Sequence, residues 1–214
     1  MSLVYFPSCK FTAKYPQTSQ AIQRYLQGKA RVAGCCRPGL EELTEEDTAV
    51  YICNTCAAFL RESSRAKTVL SLWEVVLGDS DFPFPDHRGR VMTVQDCWRA
   101  YDGLAAQEAV RTLLAQMGVE TLELPDHHRR TAFCGCTFST PPPPHYARYA
   151  PWRLEEELRP LCVPCPPQER KARMEAHCRQ IPTNEVVCSC VSCANGIELG
   201  GKQAVHLAQL LFPI

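Results

Sequence analysis

Residues 186–211 read VVCSCVSCANGIELGGKQAVHLAQLL: a β-branched pair, three cysteines, a Gly-Gly turn and an amphipathic run in close succession. The order has an echo earlier in the chain. Cys53-Asn54-Thr55-Cys56 is followed by KTVLSLWEVVLG (67–78), and Cys190-Val191-Ser192-Cys193 by GKQAVHLAQLLF (201–212). Each is a CxxC, a connection, a lysine and a run with the pattern of an amphipathic helix. The repetition extends backwards. SLVYFPS (2–8) is a short apolar strand that runs straight into Cys9, and RVMTVQD (90–96) runs into Cys97. TSQAIQRYLQG (18–28), with Thr or Ser available as N-cap, and AAQEAVRTLLAQMG (105–118) are helical patterns closed by glycine. ARVAG (30–34) and VETLEL (119–124) then return to a β-like pattern before the next cysteines.

Strand, cysteine, helix, strand, cysteine group, CxxC and helix therefore occur twice. Alternation on this spacing predicts an α/β fold of two pseudo-repeated units, each with a short parallel sheet. The expected units are 1–85 and 86–214, joined by the Asp-, Pro- and Gly-rich GDSDFPFPDHRG (78–89). The second is longer because of an insertion around 139–184. It opens on a proline run that favours extended backbone and carries Cys162, Cys165 and Cys178. It is read as a lid or a partner-docking segment.

Composition excludes several classes of function. Lys+Arg and Asp+Glu balance at 23 each, so nothing electrostatic favours nucleic acid or acidic lipid. The most apolar helix-like stretch, TVLSLWEVVLG (68–78), is too short and too interrupted to span a bilayer. MSLVYFPSCKFTAKYP (1–16) lacks a basic region followed by a long apolar one, so a cytoplasmic location with reduced thiols is expected. Against that background the 14 cysteines stand out. Reduced cysteines at short spacings point to metal or redox chemistry, ahead of a disulfide scaffold or scattered buried thiols.

The first unit offers Cys9, the adjacent pair Cys35 and Cys36, then Cys53 and Cys56: five thiols. Zinc takes four ligands in a closed tetrahedron. Five, with an adjacent pair that can reach neighbouring metals, suit an iron–sulfur assembly. The second unit offers Cys97, then Cys134 and Cys136, then Cys190 and Cys193. In an α/β unit such residues follow strand ends, where helix N-termini collect and favour thiolates.

Six ordered segments, YFPSCKF, GCCRPG, CNTCAAFL, VQDCWRA, FCGCTF and CVSCANGIELGGKQAVHLAQLL, resemble the cysteine-rich CCG domain of the heterodisulfide reductase B subunit. The same domain occurs in related iron–sulfur subunits, such as those of glycolate oxidase. The resemblance covers most of the chain outside the insertion. It implies a non-cubane [4Fe-4S] cluster on Cys9, Cys35, Cys36, Cys53 and Cys56, and another on Cys97, Cys134, Cys136, Cys190 and Cys193. It further implies cleavage of a small disulfide or thiol substrate at a cluster iron, with electrons from a flavoprotein or ferredoxin-like subunit. Two departures stand out: Cys-Gly-Cys replaces Cys-Cys-Gly in the second unit, and the gap before the first CxxC is compressed. Zinc at one site is the alternative.

Other residues receive plainer readings. Cys162, Cys165, Cys178 and Cys188 are lesser ligand candidates, for a small zinc site or the second cluster, against free thiols. His206 is read as packing or surface on an amphipathic helix, ahead of a ligand, and His127-His128-Arg129-Arg130 as a solvated loop, ahead of a role in attracting an anionic thiol substrate. Gly200-Gly201-Lys202 lacks the rest of a phosphate loop and is read as a turn and helix start. Trp73 and Trp98 are expected in the core or near a cluster. Lys10, next after Cys9, and Arg99, two residues after Cys97, either offset cluster charge or are simply solvated. An iron–sulfur oxidoreductase, a non-catalytic electron-transfer subunit and a zinc-stabilised binding module are the three functional classes these residues allow.

Overall fold

In the computed structural model, which describes residues 2–135 and 137–214, the strands form two four-stranded parallel sheets. The first contains β1 (Ser2–Phe6), β2 (Ala30–Val32), β3 (Asp47–Tyr51) and β4 (Thr68–Ser71), in the order β2-β1-β3-β4. The second contains β5 (Val91–Gln95), β6 (Glu120–Glu123), β7 (Glu185–Cys188) and β8 (Gln203–His206), in the order β6-β5-β7-β8. The fold is α/β, built from two units of one topology. In each, the chain leaves the first strand towards one edge and later crosses to the other. That leaves a topological switch point between β1 and β3, and another between β5 and β7. The inner strands are covered on both faces and read as apolar runs. Val4, Tyr5 and Phe6 of β1 pair with Ala49, Val50 and Tyr51 of β3, and all six are buried.

The helices follow in chain order: α1 (Cys9–Lys14), α2 (Pro16–Tyr25), α3 (Cys36–Gly39), α4 (Asn54–Ser63), α5 (Leu72–Leu77), α6 (Leu104–Gln116), α7 (Pro167–Cys178), α8 (Val191–Leu199) and α9 (Leu207–Leu211). α2 starts at Pro16, with Thr18 and Ser19 buried in its first turn rather than capping it. Proline suits the first helical position because its missing N–H would be unpaired there anyway.

The segments after each CxxC differ from the reading of their pattern. Helices α4 and α8 begin at once, with Cys53 and Cys190 as their N-caps. KTVLSLWEVVLG then divides into β4 and α5, and GKQAVHLAQLLF into β8 and α9. A strand of four residues joined to a helix of five or six is too short for either period to show. Ser71 and His206 mark the joins, each in a capping box with the residue three further on, Glu74 or Gln209. Lys202 precedes a strand and not a helix, its Nζ bonding the carbonyls of Ile181 and Thr183 at 2.9 and 2.6 Å.

The largest apolar core runs through both units, from Tyr5, Phe11 and Trp73 to Val94, Leu113 and Leu211. Trp98 packs against both of two smaller cores. The insertion does not stay with its own unit. Its π-helical stretch Pro151–Leu158 buries Leu154 and Leu158 in the core that holds Phe59 and Leu60 of α4. Glu62 at the end of α4 accepts from the backbone N–H groups of Trp152 and Arg153 at 2.8 and 3.0 Å. Tyr146 and Tyr149 set their rings against Phe59, at centroid distances of 5.1 and 5.3 Å. No helix among the described residues is long and apolar enough to cross a membrane.

Candidate metal centre

Open parallel sheets receive ligands at the carboxyl ends of their strands beside a switch point. Cysteines occupy that place in both units. Cys9 follows β1 and Cys53 follows β3; Cys97 follows β5 and Cys190 follows β7. The paired CxxC residues, Cys56 and Cys193, lie in the first turns of α4 and α8. Their backbone N–H groups bond the N-cap sulfurs of Cys53 and Cys190 and, with the helix dipole, favour thiolate there.

All five thiols of the first unit line a single cavity of about 90 Å³, together with Ser8, Thr55 and Tyr146 among others. Cys36 and Cys56 have their Sγ atoms 3.2 Å apart. Cys53 is held at about 6 by the thiol hydrogen bond from Cys56, which outweighs burial. Cys56 is pushed the other way, first by its bond to Cys36 and then by its bond to Cys53. Burial raises Cys35, but hydrogen bonds from Arg37 outweigh it and the thiol falls below its ordinary value. The set thus mixes protons and thiolates around open space. Ser8 makes the turn into it at φ 63, a left-handed conformation rare outside glycine. Its hydroxyl accepts from the Phe11 N–H at 3.4 Å and also bonds Cys53.

The second set is closer. The Sγ atoms of Cys97, Cys190 and Cys193 lie within 4.8 Å of one another, all three buried. Cys134, fully buried, adds a fourth at 3.9 Å from Cys97. Cys190 is driven well below its ordinary value by hydrogen bonds from Cys193 and Cys97. Cys97 is driven up by its bonds to Cys134, Cys190 and Cys193. A tetrahedral zinc with Zn–S bonds of about 2.3 Å sets its sulfurs about 3.8 Å apart, close to the Cys97–Cys134 separation and within the span of the Cys97, Cys190 and Cys193 group. Cys136 lies outside the described residues. The glycine before it explains the Cys-Gly-Cys spelling. Gly135 holds φ 51, and a Cβ there would stand 1.9 Å from the Ser192 carbonyl oxygen, inside the CxxC turn.

Between the sets lies Arg99, which the sequence left undecided between a cluster counter-charge and a solvated side chain. It is 9% exposed. Its guanidinium donates at 2.5 Å to the Thr55 hydroxyl of the first CxxC. Burial opposes its charge, but attraction to the sulfurs of Cys134, Cys97, Cys190 and Cys53 outweighs that and raises its pKa. One cation therefore serves thiols of both units. Lys10 stays exposed and, like Tyr146, borders both the first thiol cavity and a neighbouring cavity of about 310 Å³. Arg99, Ser192 and the proline run 141–143 also line that larger space.

The lesser candidates are scattered. Cys188 is buried in β7 opposite His206, and burial raises its thiol. Cys178 ends α7 with its Sγ 3.6 Å from the Ile197 carbonyl oxygen. Cys162 bonds the Leu158 carbonyl at 3.3 Å and lies close enough to Arg99 and Cys134 to feel their charge. Among the described residues these four gather no three-ligand group. His206 is wholly buried at the end of β8, among Phe11, Tyr15 and Trp73, and burial lowers it to about 3. Sequence reasoning missed Ser8, Thr55 and Tyr146. The first two sit within one residue of predicted thiols, but Tyr146 comes from the distant insertion and left no local signal.

No protein-family model matches the chain, and no curated protein does. Among solved structures, the aspartate racemase of Picrophilus torridus is similar at 10% identity and a TM-score of 0.35. That match covers 98% of this chain and 90% of the racemase, but a likeness so loose carries no argument about activity.

Proposed function

We propose that the protein is an iron–sulfur oxidoreductase of the heterodisulfide reductase B type, reducing a small disulfide with electrons from a flavoprotein or ferredoxin-like subunit. The observation that carries this reading is the convergence of Cys9, Cys35, Cys36, Cys53 and Cys56 on one cavity beside a larger one. Five thiols exceed what a zinc ion binds and suit a non-cubane [4Fe-4S] cluster. Such a cluster, when bound, supplies one-electron steps and an iron able to take a substrate sulfur. The chain's own residues do the rest. Lys10 and Arg99 offer positive charge to an anionic substrate in the larger cavity, and Tyr146 presents its ring where the two cavities meet. The overall change takes two electrons from the donor and two protons from solvent, breaks one S–S bond and leaves two thiols.

The second set favours a different occupant. The grouping of Cys97, Cys190 and Cys193 within 4.8 Å of one another, which has no counterpart among the described thiols of the first set, suits zinc better than a cluster whose ligands are spread over several irons. The reading is therefore one cluster in the first unit and one structural zinc in the second. Metal and sulfide analysis of anaerobically purified protein, with EPR, tests it. About four irons, four sulfides and one thiolate-bound zinc per chain are expected, with an EPR signal unlike a cubane and altered by added thiol. Colourless protein with zinc at both sets overturns the redox reading in favour of a zinc-stabilised binding module. A cluster that no thiol or disulfide perturbs points to a non-catalytic electron-transfer subunit.

A further inference from the structure

The turn between β6 and Cys134 holds a second kind of ligand group, in which no cysteine takes part. One nitrogen each of His127 and His128 and a carboxylate oxygen of Glu123, the last residue of β6, lie within 4.8 Å of one another. The two imidazoles meet edge to face, with centroids 4.8 Å and Nδ1 atoms 2.5 Å apart. Neighbouring side chains converge in this way because His128 holds φ 53, in the left-handed region. The turn is anchored at both ends. The His128 N–H donates to Asp96 Oδ2 at 2.7 Å, and Arg111 grips both oxygens of Glu123 at 2.8 Å while also pairing with Asp96 at 2.7 Å.

The outer nitrogens already have neighbours. His128 Nε2 faces Glu108 Oε1 at 3.2 Å, and His127 Nε2 faces an Arg130 nitrogen at 3.4 Å. The two inner Nδ1 atoms face each other. A borderline-soft divalent ion takes two imidazoles and a carboxylate at about 2.0–2.2 Å, which sets the two nitrogens about 3.3 Å apart, so the rings part slightly to admit it. Glu123 keeps lone pairs beyond those given to Arg111, and the Arg111 fork is the sort of outer hydrogen bond that orients a ligating carboxylate.

We propose that Glu123, His127 and His128 bind a divalent cation of the zinc class, separate from both thiol sets, and that the ion pins the turn that delivers Cys134. The second unit has a use for such a clamp. In the first unit only residues 33 and 34 separate β2 from Cys35, whereas residues 124–133 separate β6 from Cys134.

The test uses the full chain with its thiol sites already filled, titrated with Co²⁺ or Zn²⁺. One further equivalent of Co²⁺ is expected, showing ligand-field bands without thiolate charge transfer, together with Zn²⁺-induced shifts of the His127 and His128 imidazole resonances. The double variant His127→Gln, His128→Asn, with an asparagine that tolerates the left-handed backbone, loses that equivalent; Glu123→Gln weakens it at least about tenfold. Thiol-bound metal and far-UV circular dichroism establish that the variants are folded. If they do not fold, the imidazole shifts of the unaltered protein decide. No further equivalent, its retention in the double variant, or shifts confined to His87, His145, His177 and His206 overturn the proposal, and none of these outcomes touches the iron–sulfur reading.

Discussion

At the end of β1 a serine in a left-handed turn leads into Cys9; at the end of β5 an aspartate leads into Cys97. Ser8 spends its side chain on the thiols and on α1, whereas Asp96 turns away to hold Arg111 and the His128 N–H. The same contrast runs through both units. The first gathers its thiols around a cavity, bordered by Tyr146 of the other unit, and leaves Cys9 exposed. The second draws three sulfurs within 4.8 Å of one another with a fourth beside Cys97, all buried, and lays a glycine on the CxxC turn. Identical strand order thus supports an accessible site and a closed one. The difference comes from the connections.

Deleting a ligand from each set is the strongest way to break that comparison. Cys56→Ser is expected to abolish iron while zinc is retained, and Cys193→Ser to lose the zinc and unfold the second unit at physiological temperature. Metal analysis and circular dichroism read the two outcomes, and symmetric losses would erase the distinction. Next in size is Arg99→Leu. It strips the cation from buried thiolates of both units and is expected to lower unfolding stability by about 3–5 kcal/mol, measured in urea on metal-free, reduced protein.

Gly135→Ala follows, at about 3 kcal/mol or more, because the new Cβ meets backbone at 1.9 Å and the φ is strained. Gly34→Ala, at the matching approach to Cys35, has nothing within 4 Å and should change stability by less than about 1 kcal/mol. Comparable losses in the two would show that the second turn is no tighter than the first. The smallest effect separates the two helix caps. His206 is held near 3, below the value of about 6.5 it has when unfolded, so the native chain binds fewer protons. Its contribution is complete above about pH 6.5 and is lost as the pH falls towards 3, with a slope of at most about 1.4 kcal/mol per pH unit. His206→Asn keeps a capping side chain and should flatten that slope between pH 6.5 and 5 in thermal melts. Ser71→Ala, at the equivalent join, should cost about 1 kcal/mol with no such pH dependence.

Much of this architecture was legible in the sequence. The strands before Cys9 and Cys97, the repeated CxxC and the short β-like returns at ARVAG and VETLEL predicted two parallel units. The resemblance implied the two groupings of thiols, and in space five line one cavity while Cys97, Cys134, Cys190 and Cys193 lie near one another; Cys136 lies outside the described residues. What pattern reading could not supply were contacts made across the units. Arg99 looks like any arginine after a tryptophan until Thr55 is placed beside it. The strand and short helix after each CxxC fall below the length at which periodicity separates them. The histidine pair reads as solvated loop because its convergence depends on one backbone angle at His128.

The clasp of the insertion over α4 has a bearing on how the protein is made. Tyr146 and the stretch Pro151–Leu158 are synthesised long after Cys56. Synthesis runs from the N-terminus, and units fold as they appear. The first sheet and its five thiols can therefore assemble on the ribosome while that side of their cavity is still open. The first site thus has its widest access before the second unit is finished, and completion of the chain narrows it from the Tyr146 side while Cys9 stays exposed.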